Sequence, residues 1–544
     1  MDINIEAIPY KKLGQINKTF VELIEGEFPD IKPPDFNNLD GVLEKRKKFY
    51  LEDSSRRKEL INLFDAQKLS QNQKKNLDIL AKPDSFVVIG GQQIGLLTGP
   101  LYTLYKIITI LYISEKLNKK GKYKFVPVFW AATQDHDLAE VQNCHLIGTD
   151  NNHHKFEWNW NTKYPNFMSG SVPLEDELLK NLMVFCRENL RETEFRESIL
   201  RVLENAFSNS NSAGEWFIDV LNKWFGDYGL LVFDSRWSEN LSCTHSLLLK
   251  ELNSPPKERI SQLLMAGGKC FLAGGHKPPI HKLADISGFF ICKNNKRYRV
   301  TFENDGYITD IGHFTKEELL KEIEKSNLSW NGNVALRPLV QDTLFPTAIS
   351  VVGPTEYLYH GQLKVLYEKW NIPQPVVLPR ISMTLIENKI NRRLHKIGLQ
   401  PEDFLKDITE IEKNMVKSTH GSGIENITKN LENEIEEAAK KLGEISKEID
   451  PALLKAIEKQ GGKLKQNVSD LNDLLIRKLR QNNDNLKTQL EIIKTSLFPM
   501  NSLQERSLNL VQFLCYYGTD FISELLKVPW DIDSKNHFWV NIES

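Results

Sequence analysis

Five short apolar segments recur along the chain, and their composition predicts buried β-strands. They are SFVVIGG (85–91), KFVPVFWAA (124–132), YGLLVFD (228–234), AISVVG (348–353) and PVVLPR (375–380). Helical sequence lies between several of them, including a charged, periodic segment from about 40 to 81 and a second from 98 to 120. Strands that are continuously apolar are typical of a sheet covered on both faces. The pattern therefore predicts an α/β fold with a mostly parallel sheet and helices on both faces.

Two segments interrupt this alternation and are interpreted as inserts. Residues 151–213 are polar and then helical, whereas residues 261–331 have a mixed α/β pattern. In the second, RYRVTFENDGYITDI predicts a hairpin with Asp305 and Gly306 at its turn. The predicted core is formed by residues 1–150, 214–260 and 332–385, with the inserts 151–213 and 261–331 between these segments. A helical arm follows at residues 386–500, and residues 501–544 return to the core.

The strongest periodic signal lies in the predicted arm. Apolar residues recur at spacings of three and four between Ile424 and Ile449, Pro451 interrupts them, and the pattern resumes from Leu453 to Leu497. This spacing predicts two long helices that form an antiparallel coiled coil and turn near Pro451. Such arms often mediate dimers, so we expect a homodimer; the alternative is that the helices pack only within their own chain.

Composition limits the class of protein. The chain has 544 residues, which is enough for several folding units, and its 40% hydrophobic and 26% charged residues are ordinary for a globular protein. A net charge of −2 gives no basic excess for nucleic acids or anionic membranes. No apolar segment reaches the roughly 18–20 residues that span a bilayer, and the N-terminus does not have the pattern of a signal peptide. With six scattered cysteines and no CxxC pair, we expect reduced thiols and a cytoplasmic protein.

A glycine-rich loop, GGQQIGLLTGP (90–100), joins the first predicted strand to a helix. Glycines allow a ligand to approach the backbone, and a helix start favours an anion. We expect Thr98 to be the N-cap of that helix, with Pro100 in its first turn. The loop matches neither a GxGxxG nor a GxxxxGK[ST] motif, so a simple tight turn is the alternative. The candidate anion-binding residues are Gly91, Gln92, Gln93, Gly95 and Thr98.

An acidic motif with a histidine, TQDHDLAEV (133–141), directly follows the second predicted strand. Ligands of open α/β sheets bind at the carboxyl ends of the strands, so Asp135, His136 and Asp137 are the candidate catalytic residues. A carboxylate or an imidazole can accept the proton that an amine must lose before it attacks a carbonyl. The alternatives are a helix cap and a metal site. No HxH or HExxH spacing supports the latter, and we expect no metal.

Further candidates lie around the fourth and fifth predicted strands. Glu356, His360 and Lys364 recur every four residues, so they share one face of a predicted helix. Arg337 and Arg380 carry guanidinium groups, which match a carboxylate with two parallel hydrogen bonds. All five are candidate substrate-binding residues. The alternatives are a surface charge pair between Glu356 and Lys364 and structural roles for the two arginines.

Several long motifs together resemble those of the bacillithiol biosynthesis cysteine-adding enzyme family. They are GGQQIGLLTGPLYTLYK, VPVFWAATQDHDLAEV, LRPLVQDTLFPTA, VVGPTEYLYHGQLKVLYE, VVLPRISMT and LQERSLN. The resemblance implies a Rossmann-like core with two connecting inserts and a C-terminal coiled coil. It also implies the last step of bacillithiol synthesis, in which the carboxylate of cysteine forms an amide with the amine of glucosaminyl-malate. The chain departs from the family pattern at Gln134, where the family has glutamate, and over residues 274–290.

This resemblance directs the expected chemistry toward small-molecule substrates. A free carboxylate does not acylate an amine without activation, so a nucleotide is expected although no ATP-binding motif is present. Asp135 or His136 would deprotonate the amine, whereas Lys364, Arg337 or Arg380 would bind carboxylates. Two other functions remain as alternatives. One is a metal-dependent hydrolase of a sugar amide, and the other is a non-catalytic coiled-coil scaffold for a thiol-synthesis complex.

Overall fold

A computed structural model describes most of the chain, namely residues 2–51, 55–65, 67–239, 241–281, 286–303, 306–416, 422–481, 484–532 and 535–543. It divides into two compact units. The first comprises Met1–Asn388 and Ser502–Ser544, and the second comprises Lys389–Asn501.

The strands all belong to the first unit. They are β1 (Asp2–Pro9), β2 (Ser85–Gln92), β3 (Lys124–Ala131), β4 (Asn143–Ile147), β5 (His153–Glu157), β6 (Leu231–Asp234), β7 (Ile286–Lys293), β8 (Lys296–Glu303), β9 (Gly306–Thr309), β10 (Gly312–Phe314), β11 (Ser329–Gly332), β12 (Thr347–Val352), β13 (Val376–Pro379), β14 (Ser382–Glu387) and β15 (Asn536–Glu543).

The helices occur in both units. They are α1 (Tyr10–Leu13), α2 (Lys18–Glu25), α3 (Leu39–Leu51), α4 (Ser55–Asn62), α5 (Gln71–Leu80), α6 (Leu101–Asn118), α7 (Leu138–Val141), α8 (Trp160–Lys163), α9 (Asp176–Asn189), α10 (Arg196–Ser208), α11 (Ala213–Phe225), α12 (Ser242–Asn253), α13 (Ile260–Ala273), α14 (Lys316–Glu324), α15 (Leu336–Leu344), α16 (Pro354–Lys369), α17 (Asn388–Ile397), α18 (Ile408–Val416), α19 (Ser422–Ile449), α20 (Leu453–Gln481), α21 (Asp484–Leu497), α22 (Leu510–Tyr517) and α23 (Asp520–Lys527).

The central sheet of the first unit is parallel and has the strand order β13-β12-β2-β3-β6. Its members are the five strands predicted from the apolar segments, which confirms the predicted α/β class. Strands β2, β3 and β6 follow one another in one direction, whereas β12 and β13 extend the sheet in the other. The order therefore reverses between β2 and β12, which is the position where open α/β sheets bind their ligands.

Helices cover both faces of this sheet, as predicted. Along β3 the side chains alternate, since Phe129 packs in one apolar cluster while Val128 and Trp130 pack in another. The first cluster includes residues of α6 and α11, and the second includes residues of α12, α15 and α16. Because both faces are buried, every residue of the strand interior is apolar, which explains why the sequence shows no polar alternation.

The predicted hairpin in the second insert is confirmed by β8 and β9, which pair as antiparallel strands with Glu303 opposite Gly306. Gly306 is the first residue of β9, whereas Asp305 lies outside the described residues. The hairpin belongs to an antiparallel sheet of order β10-β9-β8-β7-β11. Three further pairings are not predicted by the sequence patterns: β4 with β5, β14 with β15, and β1 with β15 at the opposite end of the chain.

The helix that follows the glycine-rich loop begins later than predicted. Its first residue is Leu101 and its N-cap is Pro100, so the predicted N-cap role of Thr98 is wrong. Leu97, Thr98 and Gly99 have φ values of 52°, 74° and 75°. An N-cap residue needs an extended backbone, which this left-handed turn denies to Thr98.

The second unit contains the predicted antiparallel arm. Helix α19 ends at Ile449 and α20 begins at Leu453, so the chain reverses at Pro451 as predicted. Their pairing runs in opposite directions, because Gly443 lies against Leu454 whereas the Lys465 ammonium forms an ion pair with Glu436.

Candidate functional site

An open cleft of about 950 Å³ lies in the first unit, at the carboxyl ends of β2, β3 and β12. The loop after β2 contributes the glycine-rich segment, and the turn after β3 contributes Asp135. The start of α16 contributes Gly353–Glu356, and the antiparallel insert sheet contributes Phe290, Arg297 and Arg299. The cleft therefore occupies the position where the strand order reverses.

The structure brings together eight of the thirteen residues predicted for the site. Those that line the cleft are Gly91, Gln92, Gln93, Gly95, Asp135, Arg337, Glu356 and Arg380. The remaining five do not line it: Thr98, His136, Asp137, His360 and Lys364.

Lys106 of α6 is a buried cation beside the cleft that the sequence patterns do not single out. Its ammonium donates to the Gly91 carbonyl oxygen at 2.5 Å and to Gln92 Oε1 at 2.9 Å, and it forms an ion pair with Glu356. Only 1% of the residue is exposed. One side chain thus ties the end of β2 to the start of α16. In the sequence, this role could have been indicated by a single lysine within an otherwise apolar helix segment.

Glu356 lies at the amino end of α16, where its Oε2 accepts a hydrogen bond from the Gly353 amide at 2.6 Å. Burial alone would raise the pKa of this carboxyl, but the charge and hydrogen bond of Lys106 outweigh burial and hold the pKa below its ordinary value. Glu356 is therefore a carboxylate at neutral pH. Its partner is Lys106 and not Lys364, so the alternative of a Glu356–Lys364 surface pair is wrong.

The two other residues on that helix face point elsewhere. The Lys364 ammonium donates to the Asp30 carbonyl oxygen at 3.0 Å. His360 is buried with 1% exposure, and burial lowers its pKa to about 3, so the ring is neutral. Of the three residues with four-residue spacing, Glu356 thus lines the cleft, whereas His360 and Lys364 do not.

Asp135 holds the turn after β3 and also holds the glycine-rich loop. Its Oδ1 accepts the amides of His136 at 2.7 Å and Asp137 at 3.2 Å, and its Oδ2 accepts Gln93 Nε2 at 2.7 Å. Gln93 Nε2 also donates to Glu140 at 2.9 Å. Asp137 is the N-cap of α7 but makes no side-chain capping bond. The acidic motif and the glycine-rich loop are therefore one hydrogen-bonded unit.

His136 is partly buried behind this unit. Its ring packs edge-on against Phe290, and its Nδ1 lies 3.5 Å from Arg297 Nη1. Burial and the Arg297 charge lower the pKa of His136, so the imidazole is neutral at pH 7. Because Nδ1 faces a group that can only donate, we assign the ring proton to Nε2.

Arg380 lines the cleft but is already paired. Its Nη1 and Nη2 donate to Glu505 Oε2 and Oε1 at 2.8 and 2.7 Å, and both side chains are buried. Glu505 belongs to the LQERSLN segment, so this pair attaches the C-terminal return to the end of β13. The Arg380 guanidinium therefore already binds a carboxylate of the protein itself.

Arg297 and Arg337 differ from Arg380, because neither forms an ion pair with a carboxylate of the described residues. Arg337 Nη1 donates to Gln341 Oε1 at 3.0 Å. Arg297 donates to Asn331 and to the Gly332 carbonyl, each at 2.7 Å, and lies 3.8 Å above the Phe290 ring. Two guanidinium groups thus line the cleft with only neutral hydrogen-bond partners, an arrangement that favours an anionic ligand.

The departures from the family pattern also lie near the cleft. The Gln134 amide donates to Glu239 Oε1 at 3.0 Å, so a neutral side chain stands beside a carboxylate. From the divergent segment 274–290, Ile280 and Phe290 line the cleft, while residues 282–285 lie outside the described residues.

Three general features complete the description. Within the described parts of the chain, no group of three or more His, Cys, Asp or Glu side chains could hold a metal ion. In the same parts, none of the helices is both long and apolar enough to cross a bilayer. None of the six cysteines, which all lie within the described residues, forms a disulfide, and five of them are buried.

Comparison with known proteins identifies the family of both units. Residues 22–381 match the description "Bacillithiol biosynthesis BshC, N-terminal Rossmann-like domain", and residues 383–540 match "Bacillithiol biosynthesis BshC, C-terminal coiled-coil domain". A protein of Bacillus cereus (strain AH187), named "Putative cysteine ligase BshC", is 29% identical over 466 residues, which cover 85% of this chain and 86% of the relative. A protein of Bacillus thuringiensis subsp. konkukian (strain 97-27) with the same name is 28% identical over the same shares. The chain therefore belongs to the BshC family of bacillithiol biosynthesis proteins.

Proposed function

We propose that this chain is a ligase that joins the carboxylate of cysteine to the amine of glucosaminyl-malate, the last step of bacillithiol synthesis. Membership of the BshC family and the names of the relatives support the activity. The observation that carries the proposal is the cleft, which combines acidic side chains with guanidinium groups that have no carboxylate partner. An amine and several carboxylates are the charged groups of the two substrates. Because the six cysteines, all within the described residues, form no disulfide, we also propose a cytoplasmic location.

The acidic side of the cleft suits the amine. Asp135 and Glu140 are linked through Gln93, so their carboxylates lie close together and attract an ammonium group. Asp135 lines the cleft, and its carboxylate can accept the proton that the amine loses as its nitrogen attacks the carboxyl carbon. The guanidinium of Arg337 carries a positive charge and can bind a carboxylate of a substrate.

The carboxylate of cysteine needs activation before this attack, and we propose a nucleoside triphosphate as the activating agent. Formation of the amide C–N bond breaks the bond from the carboxyl carbon to an oxygen, and that oxygen would leave with phosphate or with AMP. The exposed side chains of Arg299 and Arg506 line the cleft and could bind phosphate oxygens.

The direct test uses the purified chain with cysteine, glucosaminyl-malate and ATP, and follows the products by mass spectrometry. We expect bacillithiol together with ADP or AMP, and none in the absence of ATP. Full activity in both Asp135→Ala and His136→Ala, with each variant folded, would overturn the assignment of the acid–base residues. If glucosaminyl-malate stays intact under all conditions, the ligase proposal fails.

We also propose that the arm joins two copies of the chain. Large apolar residues of the α19–α20 pair remain exposed, among them Leu442 and Ile445 at 56% and Ile449 at 73%. An exposed apolar stripe of this kind is typical of an interface, because a second coiled-coil pair could cover it.

A further inference from the structure

Arg297 is held in one orientation although it has no carboxylate partner within the described residues. Its Nε donates to Asn331 Oδ1 and its Nη2 to the Gly332 carbonyl, each at 2.7 Å. The guanidinium carbon lies over the Phe290 ring, 3.8 Å from the ring centre. A guanidinium has five N–H bonds, so hydrogen atoms on Nη1 and Nη2 remain for a ligand in the cleft. The charge is thus fixed in place but not neutralised.

Asn331 connects Arg297 to a mostly buried carboxylate. The Asn331 oxygen accepts from Arg297, while its Nδ2 donates to Cys292 Sγ at 2.9 Å and lies 3.5 Å from Glu239 Oε1. Glu239 also accepts the Ser329 hydroxyl at 2.7 Å and the Gln134 amide at 3.0 Å. A carboxylate attracts the NH2 end of the Asn331 amide, and this orientation turns the amide oxygen toward Arg297. Cys292 and Glu239 therefore both face the Nδ2 end of the amide whose oxygen holds Arg297.

Gly332 lies between Arg297 and the backbone of Arg337, whose side chain also lines the cleft. Its carbonyl accepts Arg297, and a Cβ at this position would lie 2.6 Å from the Arg337 backbone nitrogen. No side chain fits between the two segments, so the residues that carry the two arginines stay close together. Two cations that line one cleft favour a ligand that carries two carboxylates.

We propose that Arg297 binds a carboxylate of the acceptor substrate and that Glu239 is a positioning residue that acts on Arg297 through Asn331. The ligand class is a dicarboxylate, and the assignment rests on the proposed function because the acceptor there carries a malyl group. Arg297 belongs to the insert sheet, so the insert contributes directly to recognition of the acceptor. Arg337 would bind the second carboxylate.

The test is a double-mutant cycle on binding of L-malate, measured by calorimetry without cysteine or nucleotide. Arg297→Met should weaken binding by tenfold or more, since it removes charge-assisted hydrogen bonds. Glu239→Gln should weaken binding about threefold to tenfold by loosening the orientation of Asn331. The double variant should bind no more weakly than Arg297→Met alone, because Glu239 would act only through Arg297. A merely structural role of Glu239 would weaken binding independently of Arg297.

The control is Arg259→Met, which removes a guanidinium stacked on Phe302 in the same insert and away from the cleft. It should leave malate binding unchanged, and thermal unfolding checks that every variant is folded. Unchanged binding in Arg297→Met, additive effects in the double variant, or failure of the wild type to bind malate would each overturn the inference. Binding of inorganic phosphate through Arg297 without binding of malate would also overturn it. Normal malate results with no amide formation would instead refute only the ligase proposal.

Discussion

At the scale of single residues, Lys106 shows how one charge organises the cleft. Its ammonium is nearly inaccessible to solvent and contacts the end of β2 as well as Glu356 at the start of α16. Burial lowers the pKa of Lys106, but Glu356 opposes this effect and stabilises the charged form. The pair therefore joins two segments that both line the cleft.

Replacement of Lys106 by methionine should destabilise the fold and the site together. Glu356 would keep its charge without its main partner, which costs about 2–3 kcal/mol of unfolding free energy, since the carboxylate retains some solvent exposure. Urea denaturation measures this loss. The double variant Lys106→Met/Glu356→Gln should recover part of it because no unpaired charge remains. If the single variant is as stable as the wild type, the pair does not hold these segments together.

Buried histidines should make the fold sensitive to acid. Burial lowers the pKa of His537 to about 4 and that of His360 to about 3, below the ordinary value of 6.5. The unfolded chain therefore binds protons below pH 6.5 that the folded chain does not bind until the pH approaches these lower values. Each of these histidines should therefore lower the free energy of unfolding by about 1.4 kcal/mol per pH unit as the pH drops from about 6 to 4.

Urea unfolding at several pH values tests this sign and its origin. His537 contacts the hydroxyl groups of Ser382 and Thr384, which a glutamine could also reach. The variant His537→Gln should thus show a shallower loss of stability with falling pH. An equal slope in the variant and the wild type would assign the acid sensitivity to other groups.

The candidate site could be predicted in part from sequence. Asp135 and the glycine-rich loop directly follow apolar segments, so their place at the end of a parallel sheet follows from strand polarity. Lys106 and Arg297 could not be predicted in this way. One lies within an apolar helix, and the other enters the cleft only because the insert sheet packs beside the core.

At the scale of elements, local patterns predict strands and helices better than their partners. The apolar segments predict the five central strands, whereas nothing local indicates that Asp2 pairs opposite Glu543. The start of α6 shows the same limit. A capping preference favours Thr98, but tertiary packing gives it a positive φ and the helix begins at Leu101.

Gly90 in β2 tests how closely the strands must approach at the cleft. A Cβ there would lie 2.7 Å from the Val351 carbonyl oxygen of the neighbouring strand. Gly90→Ala should therefore force β2 and β12 apart and lower the unfolding free energy by about 1–3 kcal/mol. It should also reduce malate binding, because both strands end at the cleft.

Gly41 in α3 provides the matched control, since a Cβ at that position meets no atom within 4 Å. Gly41→Ala should raise stability by about 0.5–1 kcal/mol, as expected for a glycine inside a helix. Chemical denaturation of both variants decides the comparison. If Gly90→Ala were as stable as Gly41→Ala, the close approach of the strands would not be required.

At the scale of the whole molecule, the exposed apolar stripe of the arm predicts self-association. The variant Ile445→Glu/Ile449→Glu should sediment as a monomer where the wild type sediments as a dimer, because charges would enter the interface. Leu272→Glu changes an equally exposed apolar residue of the first unit and should leave the dimer intact. A monomeric wild type, or a dimer that persists in the arm variant, would contradict this prediction.

The central claim is that this chain adds cysteine to glucosaminyl-malate in the cell, with chemistry at the cleft. The most direct measurement is a mass-spectrometric profile of thiols and precursors in the source organism after deletion of the gene. Complementation should use the wild type and, in parallel, Asp135→Ala. We predict that glucosaminyl-malate accumulates, that bacillithiol disappears, and that only the wild type restores it. Unchanged bacillithiol after deletion would contradict the account.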